Sequence, residues 1–344
     1  MPSWRDGRLI AGVGAVATAS AVAALLQHRH NGKIARDSDN DFLRDPPHGR
    51  PLKVHSKDGT ELHAEVFGDE DGPTMVLAHG WTESLVYWAY VIRNLSPQLR
   101  LVAYDLRGHG ESQPAADGDY AMARFGEDLE AVLEQCVPDG QRAVVVGHSL
   151  GAMSIAAWAE HHDVERRASA AALLNTGVGD LVAETLLIPV PWIAAALNRI
   201  GGSDALLKAR APVPPFSTPL SSAIVRYTAF GPTATAGQVA FYERMLVACA
   251  PDVRADVGIA LSGLELHHAL PRLTIPTIVL AGENDRLTPP SHAERIASEL
   301  PQLRDLIVLP ATGHMSPLER ADEVSAVLGE LTASVSSGAP AAAA

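Results

Sequence analysis

Six short apolar runs, each followed by a polar turn and then a helical stretch, limit the folds open to this chain. They read TMVLAHG, LRLVAYDLRG, RAVVVGHS, ASAAALLNTG, IPTIVLAGEND and LRDLIVLPATG. Their apolar cores do not alternate with polar residues, so each run is predicted to be a strand buried on both faces, as in a parallel sheet covered by helices. The repeated order of strand, helix and strand predicts an α/β fold with a doubly wound, mostly parallel sheet.

Two segments depart from this repeated order of strand and helix and add detail to the predicted fold. Before the first run, LKVHSKDGTELHAEVFG alternates around Asp58-Gly59, which predicts antiparallel strands joined by a two-residue hairpin turn. Between Gly177 and about Gly263 the chain becomes rich in proline and helical in pattern. We expect this stretch, at about 178–262, to form a helical cap inserted after the sixth strand.

The ends of the chain differ in composition from its body. Residues 37–51, DSDNDFLRDPPHGRP, are polar and proline-rich, which is typical of a linker. We therefore expect one folded domain over 52–333. The low-complexity tail at 334–344, SVSSGAPAAAA, is predicted to be disordered.

The segment 1–36 is predicted to be a membrane anchor or a signal segment. Leu9–Leu26 contains 18 residues without a charge, and as a helix it would span about 27 Å, enough to reach across a hydrocarbon core. This pattern favours membrane association through residues 9–26. A cleaved signal peptide of a secreted protein and a soluble helix are the alternatives, and the orientation in the membrane stays open because basic residues flank both sides.

The charge distribution limits the kinds of molecule that the chain is expected to bind. The net charge is −13, yet residues 1–36 carry five basic residues and one acidic residue, or +4, which leaves −13 − 4 = −17 for the rest. An acidic body repels nucleic-acid phosphate, so a nucleic-acid function is excluded, whereas the basic end suits anionic lipid. With Cys136 and Cys249 alone and no cluster of metal ligands, neither a metal nor a cofactor is expected, and the oligomeric state is open.

A candidate nucleophile lies between the third of the apolar runs and the helical stretch that follows it. Gly147-His148-Ser149-Leu150-Gly151 matches the pattern GxSxG, with RAVVV before it and LGAMSIAAWAEHH after it. A serine on such a strand-to-helix turn has its hydroxyl held out at the carboxyl edge of the sheet, where flanking glycines allow the turn. Ser149 is therefore the predicted nucleophile.

A serine hydroxyl needs a base and the base needs an orienting carboxylate. His314, in ATGHMSPLE after the last predicted strand, is the predicted base, because the carboxyl ends of parallel strands meet at one edge of a sheet. Asp285, in GENDRLTPP, follows another strand at that edge and is the predicted acid, with Glu283 as the second candidate. The backbone N–H groups of Trp81 and Leu150 are the candidates for an oxyanion hole.

These motifs together resemble the α/β-hydrolase superfamily, particularly its lid-bearing serine esterase and lipase-like branch. The resemblance covers roughly residues 52–333 and includes HGW, YDLRGHGES, GHSLG, GENDRLTPP and GHMSPLE. It implies an α/β-hydrolase fold in which nucleophile, acid and histidine follow in the order Ser149, Asp285, His314. Members that form an alkyl-ester intermediate, such as epoxide hydrolases, carry Asp where Ser149 stands, so that route is not expected.

We therefore expect a serine hydrolase that cleaves carboxylic esters of apolar or lipid-like substrates through an acyl-enzyme on Ser149. The alternatives are an acyltransferase or a carbon-carbon bond hydrolase with the same triad, or a non-catalytic ligand-binding member of the fold. The substrate and its chain length depend on how the cap folds. The candidate substrate-binding residues, whose aromatic members suit an ordinary core equally well, are His148, Trp192, Phe216, Tyr227, Phe230 and Tyr242.

Overall fold

The computed structural model describes residues 4–181, 210, 213 and 215–336, with the backbone alone described for residues 4–19. Its centre is an eight-stranded sheet in the order β1-β2-β4-β3-β5-β6-β7-β8. The strands β1 and β2 pair antiparallel with each other, β2 pairs antiparallel with β4, and the remaining pairs are parallel. The strands are β1 (Arg50–His55), β2 (Glu61–Gly68), β3 (Thr74–Ala78), β4 (Arg100–Tyr104), β5 (Ala143–His148), β6 (Ala168–Leu174), β7 (Thr277–Gly282) and β8 (Leu303–Leu309).

Twelve α-helices lie in the described part of the chain. Two 3-10 helices, Leu85–Trp88 and His267–Arg272, accompany them. The α-helices are α1 (Trp4–Ala35), α2 (Ser38–Arg44), α3 (Ala89–Leu95), α4 (Met122–Cys136), α5 (Leu150–His161), α6 (Val164–Arg167), α7 (Pro219–Ala229), α8 (Ala236–Ala248), α9 (Pro251–Ser262), α10 (Pro290–Glu299), α11 (Ser316–Glu319) and α12 (Ala321–Ser336).

The predicted parallel sheet is confirmed, and side-chain alternation divides its core into two layers. In β5, Val145 packs into a cluster with residues of α4, α5 and α10, whereas Val144 and Val146 pack into a second cluster with residues of α3 and α12. All residues of β3, β4, β5 and β7 are buried. The continuous apolar runs therefore reflect a sheet that is covered on both faces.

Two sequence-based expectations differ from the structure. The last run, β8, is an edge strand, and its residues Leu303 and Val308 are 40% and 42% exposed, so it is not buried on both faces. The hairpin between β1 and β2 also has a longer turn than predicted. Ser56 N donates to Thr60 O at 2.9 Å, which leaves a three-residue loop with Gly59 at φ +88°. A glycine in the left-handed region is what such a loop requires.

A helical insertion follows β6, as predicted. Its described helices are α7, α8 and α9, after which the chain returns to the sheet at β7. Helices α7 and α8 begin with capping boxes at Thr218 and Thr235, whose side chains accept from the backbone N–H groups of Ser221 and Gln238. These caps satisfy N–H groups that would otherwise lack partners at the start of each helix.

The N-terminal segment packs against this insertion. The predicted linker, residues 37–51, contains α2 and the start of β1. Hydrogen bonds hold it to α8, where Asp37 accepts from Gly237 N at 3.0 Å and Leu43 O accepts from Arg244 Nη2 at 2.8 Å. The predicted anchor, Leu9–Leu26, falls within α1, and the side chains of residues 9–19 are outside the described part. In the portion of the chain that is described, no helix has the length and apolar character needed to cross a membrane.

Candidate active site

Ser149 occupies the sharp turn between β5 and α5. Its backbone has φ +49° and ψ −114°, a region that residues with a Cβ rarely adopt. A Cβ added to Gly147 would lie 2.3 Å from Ala152 N, and one added to Gly151 would lie 2.1 Å from Ala78 O. Both glycines are therefore required by close packing, and they hold the turn so that Ser149 stays partly exposed between buried neighbours.

The predicted oxyanion donors belong to two segments in close contact. The approach of Gly151 to Ala78 O brings the start of α5 against the loop that follows β3. Among the described residues, neither Trp81 N nor Leu150 N has a backbone carbonyl as hydrogen-bond partner. Neither N–H group is therefore committed to a backbone acceptor in this part of the chain, which is one requirement of an oxyanion hole.

His314 and Asp285 form the hydrogen bond expected of a base and its orienting acid. His314 Nδ1 lies 2.7 Å from Asp285 Oδ2, across the loops that follow β8 and β7. Both side chains are buried, with 4% and 2% of their surface exposed. Since Nδ1 faces the carboxylate, Nε2 is the nitrogen left for a serine. No hydrogen bond joins Ser149 to His314 in the described structure, and such catalytic bonds are often long before a substrate binds.

Burial and the charge of the partner shift the pKa of each member of this pair in opposite directions. Burial disfavours the charged form of His314, but the Asp285 carboxylate outweighs it and raises the pKa of His314 above its ordinary value. Burial likewise acts to raise the pKa of Asp285, yet the charge and hydrogen bond of His314 outweigh it and lower that pKa. The arrangement therefore favours an ionised acid beside a strengthened base.

Asn175 and Thr288 help to hold Asp285 in place, as does the backbone N–H of Leu287, and sequence reasoning missed these contacts. Asn175, directly after β6, donates to Asp285 Oδ2 and to Gly313 O, each at 3.1 Å. Thr288 donates from its backbone N–H at 2.9 Å and from its hydroxyl at 3.0 Å. Asn175 has φ +47°. An asparagine directly after a buried strand, at the edge that carries the other candidates, is the signal that could have identified it.

His148 and Glu83 form a buried bridge behind the site. His148 Nδ1 lies 3.1 Å from Glu83 Oε2, and His148 Nε2 lies 2.9 Å from His314 O. The same Glu83 oxygen accepts the Gly80 N–H at 2.5 Å. The bridge therefore joins the loop that carries Trp81 to the loop that carries His314, and it passes through the residue that precedes Ser149.

The candidate substrate-binding residues lie in different environments. His148 is fully buried and stacks on Tyr87, with ring centroids 4.6 Å apart. Phe230 is buried against Tyr242, whose hydroxyl lies 3.0 Å from Thr82 Oγ1. Phe216 is 61% exposed. Tyr227 lines an open cavity described below, and Trp192 lies outside the described residues. Tyr227 and Phe230 thus line the same cavity, whereas His148 and Phe216 do not line it.

The described residues contain no group of three or more His, Cys, Asp and Glu side chains arranged to hold a metal ion. Cys136 and Cys249 are buried free thiols, and burial raises the pKa of each to about 11. At neutral pH both are therefore protonated and poor nucleophiles.

Comparisons with known proteins identify a family and similar enzymes. A family model described as the alpha/beta hydrolase family matches residues 75–327. The bifunctional esterase/perhydrolase DCH of Acinetobacter calcoaceticus is 26% identical over 277 residues, which cover 79% of this chain and 96% of that protein.

Solved structures show the same architecture. A thermophilic esterase from Thermogutta terrifontis aligns with a TM-score of 0.65 at 23% identity, covering 83% of this chain and 99% of that one. A bacterial membrane phospholipase A aligns with a TM-score of 0.66 at 22% identity, covering 96% of this chain and 99% of that one. At these identities the likeness shows a shared fold.

Proposed function

The chain belongs to the α/β-hydrolase family, and from that premise we propose that it is a serine hydrolase that cleaves carboxylic esters through an acyl-enzyme on Ser149. One observation carries the proposal. The 2.7 Å bond between His314 Nδ1 and Asp285 Oδ2 lies at the sheet edge where Ser149 occupies a strained turn. The similarity to DCH, whose name includes an esterase activity, supports the same reaction type.

In the proposed first step, His314 Nε2 removes the proton of the Ser149 hydroxyl as the oxygen attacks the ester carbonyl carbon. The carbonyl π electrons move to oxygen, where the N–H groups of Trp81 and Leu150 stabilise the negative charge by about 3 kcal/mol each, as donors of this kind do elsewhere. Collapse of the tetrahedral intermediate breaks the bond to the alcohol oxygen. That oxygen takes its proton from His314, the alcohol departs, and the acyl group stays bound to Ser149.

Deacylation repeats the sequence with water as the nucleophile. His314 takes one proton from water as the hydroxide oxygen bonds to the acyl carbon, and it returns the proton to Ser149 when the carboxylic acid is released. Asp285 stays ionised throughout and stabilises the imidazolium. An acceptor other than water would give acyl transfer from the same intermediate, which product analysis with added alcohol distinguishes from hydrolysis.

We propose apolar or lipid-like esters as the substrate class. A helical insertion after β6 and an uncharged run at residues 9–26 support this proposal, because the insertion lies next to the base loop and the run has the length and composition of a membrane-binding helix. The contact between insertion and base loop is direct, since His314 N donates to Ala229 O at 2.8 Å. Membrane association through residues 9–26 is part of the proposal.

The test uses a fluorophosphonate probe and p-nitrophenyl esters of graded chain length on the full chain in mild detergent. We expect the parent to be labelled and to turn over esters, and Ser149→Ala to lose both. Ser298→Ala is the matched control, because Ser298 is exposed on α10, and it should keep both. A folded parent that is neither labelled nor active would contradict the proposal and favour a ligand-binding role.

A further inference from the structure

The outer surface of α7 is apolar and faces solvent. Leu220, Ala223, Ile224 and Tyr227 follow the spacing of one helical face, and Leu220 and Ile224 are 71% and 54% exposed. The opposite face is the buried one, through Val225 and Ala229. A helix that packs one apolar face into the protein and presents a second to water leaves that second face available for a partner.

The end of α1 extends this surface. Gln27 Nε2 donates to Ser217 O at 2.7 Å, and His30 Nε2 lies 2.7 Å from Ser217 Oγ, directly before α7. Nine large apolar side chains are exposed in the described part of the chain, and six of them lie on these two neighbouring segments. We call these six the apolar face: Val22, Leu25, Leu26, Phe216, Leu220 and Ile224.

A cationic cavity of about 500 Å³ lies beside the apolar face. Arg226 and Arg286 line it together with Ala223 and Tyr227 of α7, and none of its lining residues is acidic. Arg286 Nη1 donates to Tyr227 O at 2.8 Å, and its guanidinium lies 4.5 Å from the centre of the Tyr227 ring. Arg226 Nη2 is held by Ala234 O.

Neither of these two arginines forms an ion pair with a described residue, although the chain carries a net charge of −13. A guanidinium has five N–H donors, so carbonyl contacts leave several free on each. Two fixed guanidinium groups with free donors are suited to bind a phosphate group. The cavity therefore presents positive charge at the border of an apolar surface, on a protein whose net charge is negative.

We propose that the apolar face docks on a bilayer leaflet that contains anionic phospholipid, with Arg226 and Arg286 taking a headgroup phosphate. Exposed apolar side chains enter the boundary between headgroups and acyl chains, and neighbouring arginines bind the anionic headgroups. The uncharged run that ends at Leu26 is continuous with this face, which argues for lipid as the occupant. The inference goes beyond ester hydrolysis and does not depend on it.

The docked orientation places the bilayer next to the candidate site. The carbonyl of Ala229, at the end of α7, accepts the backbone N–H of His314 at 2.8 Å. Gly231 N, two residues further on, donates to Glu319, which also accepts from Gly313 N at 3.0 Å. The docking helix is thus hydrogen-bonded to the base loop.

The test places an environment-sensitive bimane label on the full chain at Leu220→Cys and, as matched control, at Ile259→Cys. Ile259 is 48% exposed on α9, outside the apolar face, and Cys136 and Cys249 are buried. Vesicles of phosphatidylcholine are compared with vesicles that also contain phosphatidylglycerol. A chain held by residues 9–26 alone would bind both, so the label rather than sedimentation reports docking of α7.

We expect a shift to shorter emission wavelength at position 220 on phosphatidylglycerol vesicles and none at position 259. Adding Arg226→Gln and Arg286→Gln should abolish the dependence on phosphatidylglycerol. Adding Arg142→Gln and Arg304→Gln, an equal charge loss at the amino ends of β5 and β8, should not.

Several results would overturn the proposal: a label at 220 that stays in water on anionic vesicles, an equal response to phosphatidylcholine alone, or a response that grows with protein concentration without vesicles. The last would show that a second copy covers the face. Turnover of a soluble p-nitrophenyl ester is recorded on the same samples. Loss of that turnover in the parent bears on the proposed hydrolase function and leaves the docking result intact.

Discussion

Glu83 Oε2 lies 3.1 Å from His148 Nδ1, and through this contact two loops that are far apart in sequence are tied together. Oxygen atoms face both ring nitrogens of His148, since Nε2 lies 2.9 Å from His314 O. His148 is thus held between a side chain of one loop and a backbone carbonyl of the other. Buried polar groups of this kind destabilise the folded protein unless each one keeps its hydrogen-bond partners.

Replacement of Glu83 by Gln should misplace the base loop. Glu83 Oε2 contacts both Gly80 N and His148 Nδ1, and an uncharged amide in its place holds His148 less firmly, so the contact of His148 with His314 O weakens. We expect kcat on p-nitrophenyl butyrate to fall by roughly 10²-fold, the scale associated with a misplacement of about 1 Å, with a smaller change in KM. Glu70→Gln, at an exposed carboxylate, is the control. An unchanged kcat in a folded Glu83→Gln protein would show that the bridge does not position His314.

Replacement of Asp285 by Asn should lower kcat by about 10⁴-fold, because the imidazole loses its orienting carboxylate. The pH profile should change as well. The carboxylate raises the pKa of His314 above 6.5, so activity in the parent is lost as pH falls through that raised value. With the carboxylate gone, burial dominates and the acid limb should move to lower pH.

Glu283→Gln is the matched comparison for the orienting acid. Glu283 is the other acidic candidate in the same loop, and its carboxylate accepts from Ala311 N at 2.9 Å rather than from His314. Its kcat/KM profile should therefore resemble that of the parent. A loss in Glu283→Gln as large as in Asp285→Asn would refute the assignment of the acid.

The strained turn at Ser149 should be measurable in stability. With φ at +49°, any residue with a Cβ carries a strain that glycine avoids. We expect Ser149→Gly to raise the free energy of unfolding by about 1 kcal/mol relative to Ser149→Ala, while both lose activity. Urea unfolding of the two inactive variants measures this difference. Equal stability would indicate that the turn relaxes when the hydroxyl is removed.

Glu319 should make stability depend on pH. Burial raises the pKa of its carboxyl to about 6 from 4.5, so the folded state binds this proton more tightly than the unfolded chain. The resulting stabilisation is present below about pH 4.5 and is lost as pH rises through about 6, a change of about 2 kcal/mol. In Glu319→Gln this loss should be absent. Unfolding free energies at pH 4.5 and 7 for both proteins test it, and parallel pH curves would contradict it.

Local sequence features determined much of this protein. Apolar runs and turn residues are properties of neighbouring residues, so they sufficed to predict the parallel strands, the insertion after β6 and the turn at Ser149. The exposure of β8 could not be read in this way, because an edge strand and a central strand carry similar apolar residues and differ only in their neighbours. The three-residue hairpin loop was decided by pairing between Ser56 and Thr60, which the Asp58-Gly59 pair alone does not specify.

Ser149, Asp285 and His314 each follow a predicted strand of the parallel sheet, which was enough to predict that they share one sheet edge. Tertiary structure alone decided which polar groups meet behind them. Asn175 reaches Asp285 over 110 residues, and Glu83 reaches His148 over 65. Such contacts depend on how strands are ordered in the sheet and how loops pack at its edge. They leave no periodic pattern in the sequence, because each contact joins two single residues that are distant in the chain and meet only in the folded protein.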